Sequence, residues 1–240
     1  MSIYARNPES WLKQDHSPLT AADIAAETII LAGLERHAPG IPVIAEESVA
    51  AGRVPEVADR FFLVDPLDGT KEFLSRNGEF TINIALIDDA RPVLGVVFAP
   101  AIKRLFWASA EAGAFAAEVA LDDPVTQTAK VSLRARKVPA TGLRVLVSRS
   151  HADAETEAWC KSRDIATRLA AGSSLKFCLI ASGEADVYPR FGRTMEWDTA
   201  AGQAILCAAG GRVLTFAGTP LRYGKKAQSF ANPGFIAEGA

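Results

Sequence analysis

The run Val64-Asp65-Pro66-Leu67-Asp68-Gly69-Thr70-Lys71-Glu72-Phe73 sets two aspartates three residues apart, followed by a glycine and a threonine. The apolar residues Phe61, Phe62 and Leu63 lead into it. The stretch therefore reads as a buried strand that ends in acids and turns tightly into a helix. Such a place offers two things at once. Carboxylates can hold hard cations, and backbone N–H groups around Gly69 can cradle an anion at the helix start. Metal ions beside a phosphate cradle point to phosphoryl chemistry.

Other acids stand at similar turning points. Glu46 and Glu47 follow the short strand 41–45, and Asp198 follows Trp197 at the opening of a helix expected over 198–209. Singly, each has a structural use. Asp198 fits an N-cap, Glu46 and Glu47 fit solvated loop charges, and Asp65 before a proline fits a turn. Jointly they read differently, because residues at strand ends in α/β proteins converge on one crevice. At about 4 Å, like charges repel by roughly 4 kcal/mol at an effective dielectric near 20. A convergent cluster therefore needs counter-cations, and all-oxygen ligation selects magnesium or manganese over zinc.

The elements that must position these groups follow from pattern. Thr20 and Asp23 form a capping box before an alanine- and leucine-rich helix over 21–37, which Pro39-Gly40 stops. Strands are expected over 60–64, 80–87, 93–99 and 104–108, with Pro100 in a turn, which together make an antiparallel meander. The second half alternates: strand 143–147, helix 152–160, helix 173–182, strand 185–188, helix 198–209 ending at Gly210-Gly211, strand 212–214. The whole is a layered α/β chain, with an antiparallel-rich N-terminal half over 1–121, a connecting segment over 122–142 and a mixed C-terminal half over 143–240.

Composition narrows the class. With 240 residues, 49% of them hydrophobic, the chain can build a sizeable core. A net charge of −2 gives no general attraction to nucleic acid or acidic membrane. Cys160, Cys178 and Cys207 show no CxxC spacing and read as buried reduced thiols, as in a cytoplasmic protein. No apolar run is long enough to span a bilayer.

Glu46-Glu47-Ser48, Asp65-Pro66-Leu67-Asp68-Gly69-Thr70 and Trp197-Asp198-Thr199-Ala200-Ala201-Gly202 resemble, in order, the metal-binding motifs of the lithium-sensitive inositol monophosphatase superfamily. The resemblance covers nearly the whole chain and implies an αβαβα sandwich. Lys71-Glu72-Phe73, Arg76-Asn77-Gly78-Glu79-Phe80-Thr81 and Asp15-His16-Ser17-Pro18-Leu19-Thr20-Ala21-Ala22-Asp23 are similar to the 3′(2′),5′-bisphosphate nucleotidase branch. That branch implies release of one phosphate from adenosine 3′,5′-bisphosphate, giving AMP, a step linked to sulfur assimilation. An inositol or sugar monophosphatase of the same superfamily is the alternative, and a non-catalytic nucleotide binder is a third.

The resemblance implies ligation of two or three magnesium ions by Glu46, Asp65, the Leu67 carbonyl, Asp68 and Asp198. Thr70 resembles the residue that bonds the attacking water, and Asp15 its proton-accepting partner. Gly69 and Thr70 are expected at the phosphate. Glu46, Leu67, Asp68 and Asp198 then meet substrate as well as metal. Ser150 and His151, Ser173, Lys176 and Arg190 are the candidate nucleotide contacts. A homodimer is also implied. Relatives carry a further helix ahead of the segment near Ile3; either the start of this sequence is assigned late or that helix is lacking, and its loss would uncover apolar surface.

Overall fold

The computed structural model describes residues 1–5, 10–12, 18–119, 129–150 and 153–240. Asp15 and His151 lie outside the described residues.

A short helix, α1 (Ser2–Ala5), and a hairpin of β1 (Ser10–Leu12) and β2 (Pro18–Thr20) precede α2 (Ala21–His37). The capping box at Thr20 and Asp23 is present, with both reciprocal bonds formed. After α2 come β3 (Val43–Ala45), α3 (Glu46–Ala50), β4 (Arg60–Asp68) and α4 (Thr70–Leu74). The meander follows as β5 (Thr81–Asp88), β6 (Arg91–Ala99), β7 (Arg104–Ser109) and β8 (Gly113–Glu118), with β9 (Val131–Ser132) at its edge. These strands form one seven-stranded sheet in the order β3-β4-β5-β6-β7-β8-β9. It is antiparallel except for the parallel β3–β4 pair. The connecting segment therefore supplies a strand to the first sheet.

The C-terminal half contains β10 (Leu143–Ser148), α5 (Ala154–Lys161), β11 (Ile165–Ala171), α6 (Leu175–Ala181), β12 (Val187–Arg190), α7 (Glu196–Ala208), β13 (Arg212–Thr215) and β14 (Phe235–Glu238). Its five-stranded sheet runs β11-β10-β12-β14-β13. The first three strands are parallel and the last three antiparallel. Helix α7 lies against β5, β6 and β7 of the first sheet, and meets α6 and β13. Helix α2 packs on β4, and α5 on β12. The result is the αβαβα layering, with a core that includes Phe106, Phe177, Ile180, Ile205 and Phe235 between the sheets. No helix among the described residues is long and apolar enough to cross a membrane.

Several elements differ from the sequence reading. Strands β8, β11 and β14 were not expected. β11 is an edge strand with mostly exposed or half-buried side chains, so it shows no clean alternation. β14 is four residues between Gly234 and Gly239, too short for a pattern. Glu46 and Glu47 open a helix instead of standing in a loop, because Glu27 of α2 receives the Glu47 N–H and the Ser48 hydroxyl at 2.9 and 2.7 Å. Helix α7 starts at Glu196, so Asp198 acts from its third position, accepting the Met195 N–H at 2.8 Å. Cys160 and Cys178 are buried, whereas Cys207 is exposed. Arg190 is the last residue of β12 and is buried, not a residue beyond the strand. Trp11, Leu12, Ile24 and Ile29 are exposed apolar side chains.

Candidate active site

Strand β4 delivers the central acids. Its pairing with β5 slips between Asp65↔Asn83 and Asp68↔Thr81, so Pro66 and Leu67 together face Ile82 alone. This is a bulge, the device that re-aims a strand next to a site, and Pro66 has no N–H to give to the ladder in any case. Asp65 closes it by accepting the Leu67 N–H at 2.9 Å. Gly69 then sits at φ +89°, a left-handed conformation that glycine adopts without cost. A Cβ there would fall 2.2 Å from the Ser173 hydroxyl oxygen, so only glycine permits this approach between α4 and the Ser173 loop.

A cavity of about 390 Å³ opens at this point. Glu46, Asp65, Leu67, Asp68, Gly69, Thr70, Ser173, Lys176, Arg190 and Asp198 all line it, together with Lys71, Glu72 and Ser148. Ser150 stands just behind, its hydroxyl donating to Glu72.

The acids raise one another's pKa. Burial pushes Asp65 well above the ordinary carboxylate range, and Glu46, Asp68 and Asp198 add to the shift. Asp198 is likewise raised well above its ordinary value by burial, with Asp68 and Glu46 adding to it. Burial raises Asp68 to about 6, against the pull of Lys176, the Ser174 N–H and Asn83. These mutual effects require four carboxylates close together in a site screened from water. Among the described residues no three His, Cys, Asp or Glu side chains already meet as a metal cage. The acids ring the cavity, and their shared charge marks it as a place for cations. All-oxygen donors of this kind suit a hard divalent ion.

Opposing them is positive charge. Lys176 is buried, and burial lowers its pKa to about 8 against the attraction of Asp68. Its Nζ donates to the Ser173 and Ala171 carbonyls at 2.7 and 3.2 Å. Arg190 is fixed by the Gly192 and Arg193 carbonyls at 3.1 and 3.2 Å.

The family model for inositol monophosphatases matches residues 5–240. The chain belongs to the inositol monophosphatase family. It is similar to the 3′(2′),5′-bisphosphate nucleotidase CysQ of Salmonella typhimurium, with 48% identity over 237 residues, covering 98% of this chain and 92% of that protein. The crystal structure of CysQ from Bacteroides thetaiotaomicron superposes with a TM-score of 0.80 at 41% identity, covering 99% of this chain and 90% of that one. An IMPase of Thermotoga maritima gives 0.79 at 25% identity, covering 99% and 85%.

In this member of the inositol monophosphatase family, the structure adds residues that the sequence reading missed. The carboxylate that reaches Thr70 among the described residues is Asp23, whose Oδ1 accepts from the Thr70 hydroxyl at 3.4 Å. Its Oδ2 accepts the Thr20 hydroxyl and N–H at 2.6 and 2.8 Å, so the helix cap also aims the acid. The sequence signal at Asp23 is its place in the capping box with Thr20, which accounts for the residue without a role in the site. Asn83, Thr81 and Ser174 form a polar chain behind Asp68. Ser174 donates its N–H to Asp68 at 2.6 Å and its hydroxyl to Asn83 at 2.6 Å, and it lies 2.9 Å from the Thr81 hydroxyl. Glu27 anchors the start of α3, where Glu46 stands.

Proposed function

We propose that this chain is a magnesium-dependent 3′(2′),5′-bisphosphate nucleotidase, hydrolysing adenosine 3′,5′-bisphosphate to AMP and phosphate. The reading rests on one observation above all. A single cavity carries four mutually repelling carboxylates and two buried cations, Lys176 and Arg190. A substrate with two phosphates satisfies both: one phosphate at the acid cluster through metal, the other at the cations. The 48% identity to a nucleotidase over nearly the whole chain supports the same reading.

Glu46, Asp65, the Leu67 carbonyl, Asp68 and Asp198 would hold two or three magnesium ions. When bound, such ions acidify water and neutralise charge that builds on the phosphoryl oxygens. The chain supplies the rest. The Thr70 hydroxyl donates to Asp23, which turns its lone pairs toward a water and lets the proton pass to the Asp23 carboxylate. First-turn N–H groups of α4 lack intrahelical partners and can donate to phosphate oxygens. Water oxygen bonds to phosphorus as the bond to the ribose 3′ oxygen breaks in line, and that oxygen, leaving as an alkoxide, takes a proton from solvent to become the hydroxyl. Lys176 and Arg190 hold the second phosphate, with Ser173 nearby. The substrate assigns the enzyme to sulfur assimilation.

Phosphate release from adenosine 3′,5′-bisphosphate and from inositol 1-phosphate, each with magnesium, tests the assignment. Preference for the inositol ester overturns the substrate, and turnover retained in Asp68→Asn overturns the metal site.

A further inference from the structure

The cavity's cationic end is held from behind by an acid outside it. Glu79 follows α4 in the turn toward β5, and its N–H is fixed by Asn77 Oδ1 at 2.9 Å. Its carboxylate accepts two parallel bonds from Arg149, both at 2.7 Å, and a third from the Gly172 N–H at 2.8 Å. Arg149 in turn donates to the Ala170 carbonyl at 2.7 Å. Glu79 and Arg149 therefore grip the segment 170–172 from two sides. The grip matters because of what hangs on that segment. The two carbonyls that hold the Lys176 ammonium belong to Ala171 and Ser173, the neighbours of Gly172 on either side. Ser173 is kept at φ +51°, with its hydroxyl donating to the Asp68 carbonyl at 2.7 Å.

Packing closes the same contact. A Cβ at Gly172 would lie 2.7 Å from Glu72 Cγ and 2.8 Å from the Glu79 carbonyl oxygen. The segment therefore runs directly against α4 and its following turn. The Arg149 ion pair and the Gly172 N–H keep the Glu79 carboxyl below its ordinary value, although burial opposes this. A fork of this kind is geometrically strict, while its half-exposed setting gives it little weight in stability.

We propose that Glu79, acting with Arg149, is a positioning residue that aims Lys176 at the second phosphate of the substrate. The proposal rests on the nucleotidase reading above. It explains in physical terms why the residues after the metal motif carry substrate information: they brace the opposite wall of the cavity.

The test compares wild type, Glu79→Gln and Arg149→Gln on adenosine 3′,5′-bisphosphate and on adenosine 3′-monophosphate, with thermal melting alongside. Each variant should raise KM for the bisphosphate roughly tenfold, at the lower end of what loss of an outer supporting partner costs at a site. kcat on the bisphosphate and kcat/KM on the monophosphate should stay near wild type. The double variant should be no worse than either single one, because both act through one grip. An unchanged KM for the bisphosphate overturns the proposal. Equal losses on both substrates, the mark of general loosening, overturn it as well. Wild type that leaves the bisphosphate uncleaved sinks the nucleotidase reading and this proposal with it. Wild-type turnover with an indifferent Glu79→Gln sinks the proposal alone.

Discussion

Removing metal should make this protein less stable as the pH rises. The reason lies in the sign of the shifts. Asp65, Asp68 and Asp198 are all raised in the fold, Asp68 from 3.8 to about 6. An unfolded chain releases those protons first, so between these values it binds fewer protons than the fold does. Stability then falls with rising pH through that window. For Asp68 the shift is about two units, or at most about 3 kcal/mol at 1.36 kcal/mol per unit, since its side chain keeps some contact with solvent. Asp65 and Asp198 act in the same direction. Glu79, Glu184 and Asp186 are shifted downward, and their opposite effect falls at lower pH. The assay is urea unfolding in chelator and in saturating magnesium between pH 5 and 8. In chelator the midpoint should fall as pH rises, and magnesium should abolish the fall, so that its stabilising effect grows with pH. Asp68→Asn should be more stable than wild type in chelator at pH 8 and should gain less from magnesium. A flat midpoint in chelator, or magnesium stabilisation independent of pH, would refute the electrostatic account of the cluster.

Other outcomes follow from the same geometry. Asp23→Asn should lower kcat by at least about a hundredfold, the scale of a lost general base, while magnesium still raises the melting temperature. The same assay on Asp15→Asn, the partner expected from sequence, separates the two carboxylates. Lys176 carries its charge below about pH 8. KM for the bisphosphate should therefore climb above that pH, and a pH profile of Lys176→Met should lack the climb. Glu27→Ala leaves the Glu47 N–H and Ser48 hydroxyl without their acceptor, costing about 1–3 kcal/mol in chemical denaturation. Magnesium affinity measured by calorimetry should weaken with it.

What could be read from sequence was what the chain writes locally. Thr20 and Asp23 cap their helix three residues apart, and Asp65 and Asp68 stand at the end of an apolar run before Gly69, although β4 continues through them as far as Asp68, with a bulge at Pro66 and Leu67, instead of stopping at Val64. Contacts made across long stretches were hidden. Asp23 meets Thr70 across 47 residues, and Glu79 meets Arg149 across 70. No periodicity encodes either pairing. Asp23 was legible only as a cap because one carboxylate does both jobs, with one oxygen for the helix start and one for Thr70. Glu46 and Glu47 looked like loop charges because the group that draws them into a helix, Glu27, lies on another element. Edge position hid β11 and brevity hid β14, since a strand needs both length and a buried face to declare itself in sequence.

If one cavity of this chain gathers metal and nucleotide between its acids and its buried cations, a complex with both will show it. A crystal structure with magnesium, AMP and phosphate tests it most directly. Magnesium should be bound by Glu46, Asp65, the Leu67 carbonyl, Asp68 and Asp198. Phosphate should lie at Gly69 and Thr70, and the nucleotide phosphate should reach Lys176 and Arg190. Ions held elsewhere, or a nucleotide seated away from Lys176 and Arg190, would contradict it.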